Sequence, residues 1–365
     1  WSPHIYSLIT ELVIANQNQR KSSIVILGNI TKPEMLTSIR KHIQNFGRTK
    51  IICRQGDRRS RTDLQQLSLD TAKSIIINQQ HHTPNDVAKT LLAITKNRSQ
   101  RFNKLHLTAI VESEEDAELC NIIGKNEVEI IHAKNFLSRL EAQTCRQSGL
   151  PYVYAELLSF SGDEIYIQEE FSLIGKKYID AVKSYHNSAV IGICSGSDEI
   201  ELNPSMDTKL KPGDKIIAIS EDDDTIVLAT NKDYQKFDDA ITFNKTTVPE
   251  PEHFLILGWN SQTSIMVENL DNYVAPDSSV TIYLDYDINE NDFIDIKLSN
   301  IETSVRKGNF KLRNTLEKIS YSDFSCVIIQ GDTNVEIEDS DSIAISILIH
   351  LREIRESSLT HFPIL

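Results

Sequence analysis

The sequence lacks the cysteine pairs and the long apolar runs that would assign it to several large classes of protein. Its five cysteines are scattered and form no C-x-x-C pair, so neither a zinc ribbon nor a disulfide framework is indicated, and a reducing compartment is expected. No stretch reaches the roughly 18 to 20 consecutive apolar residues that cross a bilayer, and the first residues do not form a signal-peptide pattern. The chain as given is therefore expected to be soluble.

Common catalytic motifs are also absent. The sequence contains no G-x-S-x-G, no H-E-x-x-H and no Walker-type glycine loop. Its ten histidines are dispersed, and the adjacent His81 and His82 precede Pro84 in a polar segment. This pattern is typical of a solvated loop, and no catalytic residue is assigned.

What the sequence does contain is ordinary globular composition with an uneven charge. Of 365 residues, 40% are hydrophobic and 25% are charged, which suggests two or three domains. Residues 1–110 carry 17 Lys/Arg and 6 Asp/Glu, a balance of +11, whereas the remaining residues carry −25. The basic stretch 48–61 has no interleaved aromatics, so a solvated face or an ionic contact with a neighbouring subunit is favoured over nucleic acid or anionic lipid.

The chain repeats itself. Residues 23–29, SIVILGN, reappear at 253–260 as HFLILGWN, and residues 64–80 align without a gap against residues 316–332. The offset between the copies grows from 230 to 252, which places a 22-residue insertion in the second copy, around 286–310. The two copies are therefore interpreted as related α/β lobes that differ by one inserted segment.

Within the first copy, apolar strand segments alternate with helical segments, which predicts a Rossmann-like parallel sheet covered on both faces. Ser113, followed by acidic residues, is the expected cap of the helix that starts at 114. The predicted elements are strand 23–28, helix 32–45, strand 49–54, helix 62–68, strand 73–78, helix 85–96, strand 105–111, helix 114–123, strand 127–132 and helix 133–147.

The pattern changes from about residue 163. Short alternating segments, with a helix predicted at 174–185, indicate a small α+β lobe, and a Pro-Gly-Asp turn at 212–214 leads into one of its strands. Residues 229–251 are polar and contain two prolines, so they are expected to be a linker.

Neither copy has the G-x-G-x-x-G turn that dinucleotide binding needs. Each has one glycine after its first strand, Gly28 or Gly258, and Arg54 stands where an acidic residue would hold the ribose. A nucleotide-dependent oxidoreductase is therefore disfavoured and kept as the alternative function, and no nicotinamide cofactor is expected.

Acidic residues at predicted strand ends suggest a site for a hard cation. Asp285 and Asp287 end the second strand of the second copy on one face, and Asp332 ends the strand that matches 73–78. Glu112, after the fourth strand of the first copy, is a weaker alternative, and residues 222–224 form another acidic run. A calcium site at Asp285, Asp287 and Asp332 is predicted; the competing interpretation is that these carboxylates are solvated or paired with Lys and Arg.

Four segments together resemble the RCK (regulator of K⁺ conductance) domains of ion channels, and specifically the CASTOR/POLLUX family. They are ELVIANQNQRKSSIVILGNITKPEM, GRTKIICRQGDRRSRTDLQQLSLDTAKSIII, LKPGDKIIAISEDDD and HFLILGWN. The resemblance implies an α/β fold, with a Rossmann-like RCK lobe, a small α+β C-lobe and a second Rossmann-like lobe. The implied divisions are 1–21 linker helix from the pore, 22–160 first lobe with crossing helices, 161–228 C-lobe, 229–251 linker and 252–365 second, incomplete RCK domain.

The resemblance also implies a function without catalysis. The chain would be part of a cytosolic gating ring that responds to calcium at the cytoplasmic face of a membrane, under a tetrameric pore of its own helices. Pore helices are missing, so a fragment of a channel is expected. Self-association is predicted through residues 135–160, where an apolar helix face is followed by a break at Gly149 and Pro151.

Overall fold

The computed structural model describes residues 1, 4–78, 85–96, 106–125, 127–229, 249–260, 262–286, 297–331, 335, 337–358 and 362–365. The first lobe alternates helices and parallel strands, as the sequence predicts. Its elements are α1 (Ile5–Ala15), β1 (Ser22–Gly28), α2 (Lys32–His42), β2 (Thr49–Gln55), α3 (Arg61–Gln65), β3 (Ser74–Asn78), α4 (Asp86–Lys96), β4 (His106–Val111), α5 (Glu114–Gly124), β5 (Glu129–His132), α6 (Ala133–Arg146) and α7 (Leu150–Leu158).

Two local predictions for this lobe are confirmed by hydrogen bonds and backbone angles. Ser113 caps α5, because its Oγ accepts from the backbone N of Asp116 at 3.1 Å. The break between α6 and α7 falls at Gly149, whose φ of +89° is in the left-handed region that favours glycine, and Pro151 lies in the first turn of α7. The turn residues thus set where the two helices separate.

The first lobe differs from the expected single sheet. Strands β1 and β2 pair with each other, and β3, β4 and β5 form a separate three-stranded sheet. Arg58, in the loop after β2, connects the two parts, because it donates to the carbonyl oxygen of Asn78 and forms an ion pair with the 4%-exposed Asp86. Burial lowers the pKa of the Arg58 guanidinium. Part of the basic stretch is therefore bound within its own lobe.

The small lobe is an antiparallel sheet with the order β6-β9-β7-β8. The Pro-Gly-Asp turn forms as predicted, with Gly213 at φ +90° and the Asp214 backbone N donating to the carbonyl oxygen of Lys211. The elements are β6 (Glu164–Gln168), α8 (Tyr178–Val182), β7 (Ala189–Cys194), β8 (Ile200–Leu202) and β9 (Lys215–Ser220).

The helix predicted at 174–185 is shorter, since α8 covers only Tyr178–Val182. Gly175 has φ +81°, and its backbone N donates to the carbonyl oxygen of Leu210. The backbone N of Tyr178 donates to Thr208. These bonds to the segment before β9 replace the first helical turns.

The second lobe has a four-stranded parallel sheet in the order β12-β11-β10-β13. Strand β12 lies in the predicted 22-residue insertion and adds an edge strand that has no counterpart among the described strands of the first lobe. Related lobes would share one sheet order, but β10 pairs with β13 whereas the matching β1 and β3 do not pair. The elements are β10 (His253–Leu257), α9 (Thr263–Asp271), β11 (Ser278–Leu284), β12 (Ile301–Lys307), α10 (Arg313–Leu316), β13 (Cys326–Ile329) and α11 (Ile337–Ser358).

Helix α6 joins the two Rossmann-like lobes. It follows β5 of the first lobe, but its buried Ala142 and Cys145 belong to the same apolar core as Phe254, Ile256 and Met266 of the second lobe. The second core is thus completed by a helix that the chain order assigns to the first lobe. Within the part of the chain that the structure describes, no helix combines the length and apolar character needed to cross a membrane.

Candidate functional site

A small cleft lies at the carboxyl ends of β10, β11 and β13, the edge where parallel sheets of this type bind ligands. Its floor is made by the turns after these strands, and the first turns of α11 close one side. The lining residues are Gly258, Trp259, Asp285, Tyr286, Phe310, Lys311, Gln330, Gly331, Ser340, Ile343, Ala344 and Ile347.

Asp285 is the predicted metal ligand that the structure places in this cleft. It directly follows β11, and its Oδ2 lies 2.9 Å from the Nζ of Lys311, with side chains 22% and 33% exposed. The carboxylate is therefore neutralised by a lysine of the same lobe, as the competing interpretation of the acidic residues anticipated. A cation that binds Asp285 therefore competes with the Lys311 ammonium for this carboxylate.

The other predicted ligands are not brought to the cleft by any described contact. Asp287 and Asp332 lie outside the described residues. Glu112 follows β4 in the first lobe, where its carbonyl oxygen is 3.0 Å from Nε2 of His132. Glu112 therefore belongs to a different sheet from Asp285, and the calcium site stays a prediction.

A buried amide network beside the cleft was not anticipated from the sequence. Asn260 Nδ2 donates to Gln330 Oε1 at 2.8 Å and to the carbonyl oxygen of Gly331 at 3.1 Å. Its Oδ1 accepts from the backbone N atoms of Gln262, the residue before α9, and of Thr263, the first residue of α9. The available signal was an asparagine in the turn between β10 and α9, where such a side chain accepts from backbone N–H groups a few residues later.

Gly258 is required because the backbone after β10 approaches the backbone after β13 closely. Its φ is +99°, and a Cβ at this position would lie 2.6 Å from the carbonyl oxygen of Gln330. The glycine at this position of the repeat therefore allows the ends of β10 and β13 to lie close together. A tight interstrand contact, and not a pyrophosphate, accounts for it here.

Glu141 approaches this network from α6. Burial raises the pKa of its carboxyl group, and a hydrogen bond with the Gln330 side chain opposes that shift. Its Oε2 is buried and has no hydrogen-bond partner among the residues that the structure describes. An ionised carboxylate is therefore unfavourable at this junction between the lobes.

The acidic run of the C-lobe forms a compact turn. Asp222, Asp223 and Asp224 each offer an oxygen, and these atoms lie within 4.8 Å of one another. Nearby, the pKa of Glu164 is raised by burial and by the charges of Asp222 and Asp223. The turn concentrates negative charge at the end of β9, and carboxylates alone do not assign a ligand to it.

In the first lobe, the turn between β1 and α2 is filled by side chains of the protein itself. Thr31 and Glu34 form a capping box at the start of α2, in which the backbone N and hydroxyl of Thr31 donate to the Glu34 carboxylate. These hydrogen bonds lower the pKa of Glu34. A carboxylate at this helix start competes with any phosphate for the same backbone dipoles, which disfavours a dinucleotide there.

Comparison with known proteins agrees with the resemblance noted from the sequence. Residues 2–95 match the calcium-activated potassium channel slowpoke-like RCK domain, and residues 134–236 match Castor and Pollux, part of voltage-gated ion channel. The chain is 28% identical to the probable ion channel POLLUX of Oryza sativa subsp. japonica, over 98% of this chain and 38% of the relative. It is 27% identical to the ion channel CASTOR of Lotus japonicus, over 99% of this chain and 44% of the relative.

The chain spans less than half the length of these curated relatives. Among solved structures, the human SLO3 gating ring matches with a TM-score of 0.59 and 14% identity, over 90% of this chain and 66% of that chain. The similarity to CASTOR and POLLUX channels and the predicted α/β fold class are therefore confirmed.

Proposed function

We propose that this chain, which is similar to CASTOR and POLLUX ion channels over nearly its full length, is the cytosolic regulatory module of a ligand-gated cation channel. It binds calcium or another ligand and couples that binding to the opening of a pore. The relatives are named as ion channels, which supports a role without catalysis. The divisions proposed from the sequence, with a C-lobe at 161–228 and a second RCK lobe from 252, accompany this function.

The observation that carries the proposal is the shared core formed by α6. Ala142 and Cys145 pack with Phe254 and Met266, so the helix that ends the first sheet is part of the second lobe. Packed cores resist continuous deformation, and a ligand that favours one arrangement of the second lobe therefore shifts α6 and the first lobe with it. A regulatory module needs such a connection between its ligand site and the rest of the assembly.

We place the ligand site at the carboxyl ends of the second sheet, with calcium as the ligand. Asp285 lies in the cleft there, and Asp287 and Asp332 are its proposed partners. Calcium prefers several carboxylate and carbonyl oxygens, which loops after neighbouring strands supply. The match of residues 2–95 to a domain described as that of calcium-activated channels also supports this ligand class.

The proposed assembly is a homotetrameric ring below the pore, on the cytoplasmic face of a membrane. Helix α7 has no buried residue, and its Tyr152, Val153 and Leu158 side chains are 83%, 54% and 60% exposed. An apolar helix without cover in one chain is suited to a contact with another copy. Helix α1 is the proposed connection to the pore helices.

Calorimetric titration of the chain with Ca²⁺, Mg²⁺ and NADH tests this function. We expect saturable Ca²⁺ binding, and at least a tenfold weaker affinity when Asp285→Asn is combined with Asp287→Asn, because two ligand charges are lost. Asp223→Asn combined with Asp224→Asn is the matched control, since it removes the same charge in the C-lobe. Absence of Ca²⁺ binding, or an unchanged affinity in the Asp285/Asp287 variant, would contradict the proposed site; NADH binding would favour the oxidoreductase.

A further inference from the structure

Helix α1 is anchored to the first lobe by its apolar face. Ile9 is almost fully buried in a cluster with Ile26, Met35 and Ile39. The hydroxyl of Tyr6 lies 2.6 Å from the Oγ of Ser38 on α2. These contacts attach the helix to β1 and α2, as expected for an amphipathic helix that precedes a strand.

The same N-terminal segment also contacts two parts of the chain that are distant in sequence. Glu11 Oε2 accepts a hydrogen bond from the backbone N of Phe160 at 3.1 Å, just after the end of α7. Asn18 Nδ2 donates to Asp222 Oδ2 at 3.2 Å, in the acidic turn of the C-lobe. Both bonds join residues far apart in sequence, so they report tertiary docking and not helix capping. We call these two contacts the N-terminal latch.

Charge strengthens the latch at Asp222. Its carboxylate lies with those of Asp223 and Asp224, whose oxygen atoms are within 4.8 Å of one another. Mutually repelling carboxylates gain from any donor that approaches them, and hydrogen bonds to charged acceptors are the stronger kind. The Asn18 amide supplies such a donor.

We propose that Glu11 and Asn18 are positioning residues that fasten the segment 5–18 to α7 and the C-lobe. The apolar face of α1 stays packed on β1 and α2. The segment therefore links this part of the first lobe to α7 and the C-lobe, and it follows a displacement of either side. This inference rests on the proposed function only in assigning α1 as the connection to the pore. The latch would make α1 respond directly to the C-lobe, in addition to any movement transmitted through the first sheet.

Hydrogen–deuterium exchange of the backbone amides of α1, measured in the complete chain without added ligand, tests the latch. We expect about two- to fivefold faster exchange in Glu11→Ala and in Asn18→Ala, since each removes one stabilising hydrogen bond. Alanine has the higher helix propensity, so a purely local role of Glu11 predicts slower exchange, the opposite sign. Glu11→Gln keeps an acceptor oxygen and should restore the wild-type rate.

A charge series at position 18 separates the latch from a merely structural role. Exchange in α1 should be fastest in Asn18→Asp, which repels Asp222, and slowest in Asn18→Lys, which forms an ion pair with it. Gln17→Ala is the matched control, because Gln17 is an exposed neighbour, and it should exchange at the wild-type rate. In an Asp222→Asn background the difference between Asn18→Asp and Asn18→Lys should shrink.

The latch is overturned if Glu11→Ala and Asn18→Ala exchange at the wild-type rate, if Gln17→Ala accelerates exchange equally, or if the charge series keeps its order and size without Asp222. These measurements need no calcium. If the chain shows the charge series but does not bind Ca²⁺, the latch is supported and the proposed ligand is contradicted. If it binds Ca²⁺ but does not show the charge series, the ligand is supported and the latch is contradicted.

Discussion

Arg146, the last residue of α6, forms a two-pronged ion pair with Glu252, the residue before β10. The Nη2 and Nε atoms of the guanidinium lie 2.7 Å and 3.0 Å from Oε1 of the carboxylate. The hydrogen bond to Glu252 raises the pKa of Arg146. The pair therefore fixes the end of a first-lobe helix to the start of the second sheet.

Replacing Arg146 by methionine should lower the free energy of unfolding by about 1 kcal/mol, because the pair is partly exposed and two-pronged. Urea denaturation checks the value. Arg139→Met is the control, since Arg139 is exposed on the same helix. An equal loss in both variants would show that arginine packing along α6, and not the pair with Glu252, is responsible.

Asp271 should be among the most sensitive positions of the second lobe. Its buried carboxylate accepts from the backbone N atoms of Ser299, Asn300 and Ile301 and so holds the start of β12. Asp271→Ala removes the acceptor of these donors and should lower the free energy of unfolding by about 3 kcal/mol or more.

Asp271→Asn keeps one acceptor oxygen, so its loss in free energy of unfolding should be about half as large. Denaturation together with hydrogen exchange of β12 measures both effects. A loss without faster exchange in β12 would contradict this explanation.

Glu141 should make the stability of the chain depend on pH. Burial raises its pKa in the folded state, so the folded chain binds this proton more tightly than the unfolded chain. The contribution of the protonated carboxyl is complete below the unfolded-state pKa and is lost as pH rises through the folded-state pKa.

Glu141→Gln removes this titration while keeping the shape. The difference in midpoint temperature, variant minus wild type, should therefore grow as the pH is raised from about 4 toward 8. Thermal unfolding at several pH values measures it. A difference that does not change with pH would show that Glu141 has the same pKa in both states.

Lys311 should compete with calcium for Asp285. Lys311→Met removes the ammonium that lies 2.9 Å from the carboxylate and should raise Ca²⁺ affinity about tenfold, measured by calorimetry. Lys318→Met, a change of the same charge on the same lobe, should leave affinity near that of the wild type. Weaker binding in Lys311→Met would mean that the lysine supports the site.

Self-association should depend on the exposed apolar side chains of α7. Val153→Asp combined with Leu158→Asp replaces two of them with charges and should shift the chain toward a monomer, as measured by light scattering at high concentration. Ile122→Asp is the control, because Ile122 on α5 is 73% exposed. A wild-type chain that remains monomeric at high concentration would contradict the prediction.

The sequence by itself determined the order and type of the strands β1 to β5 and of the helices between them. Alternation of apolar runs and helical segments located β1 to β5, since the strand and helix periods differ and local capping residues such as Ser113 mark helix starts. The growing offset of the repeat located the segment that became β12. Asp285 was correctly placed at a strand end for the same reason, because its position follows from the end of an apolar run.

Tertiary structure alone decided which surfaces meet. The apolar face of α6 was visible in the sequence, but a helical period does not specify its cover, and Ala142 and Cys145 prove to pack in the second lobe. Arg58 links the two parts of the first lobe by reaching Asn78 and Asp86, and Lys311 forms an ion pair with Asp285. Each of these contacts joins residues far apart in the chain, whose distance is set by the packing of whole sheets and helices and leaves no local pattern to read.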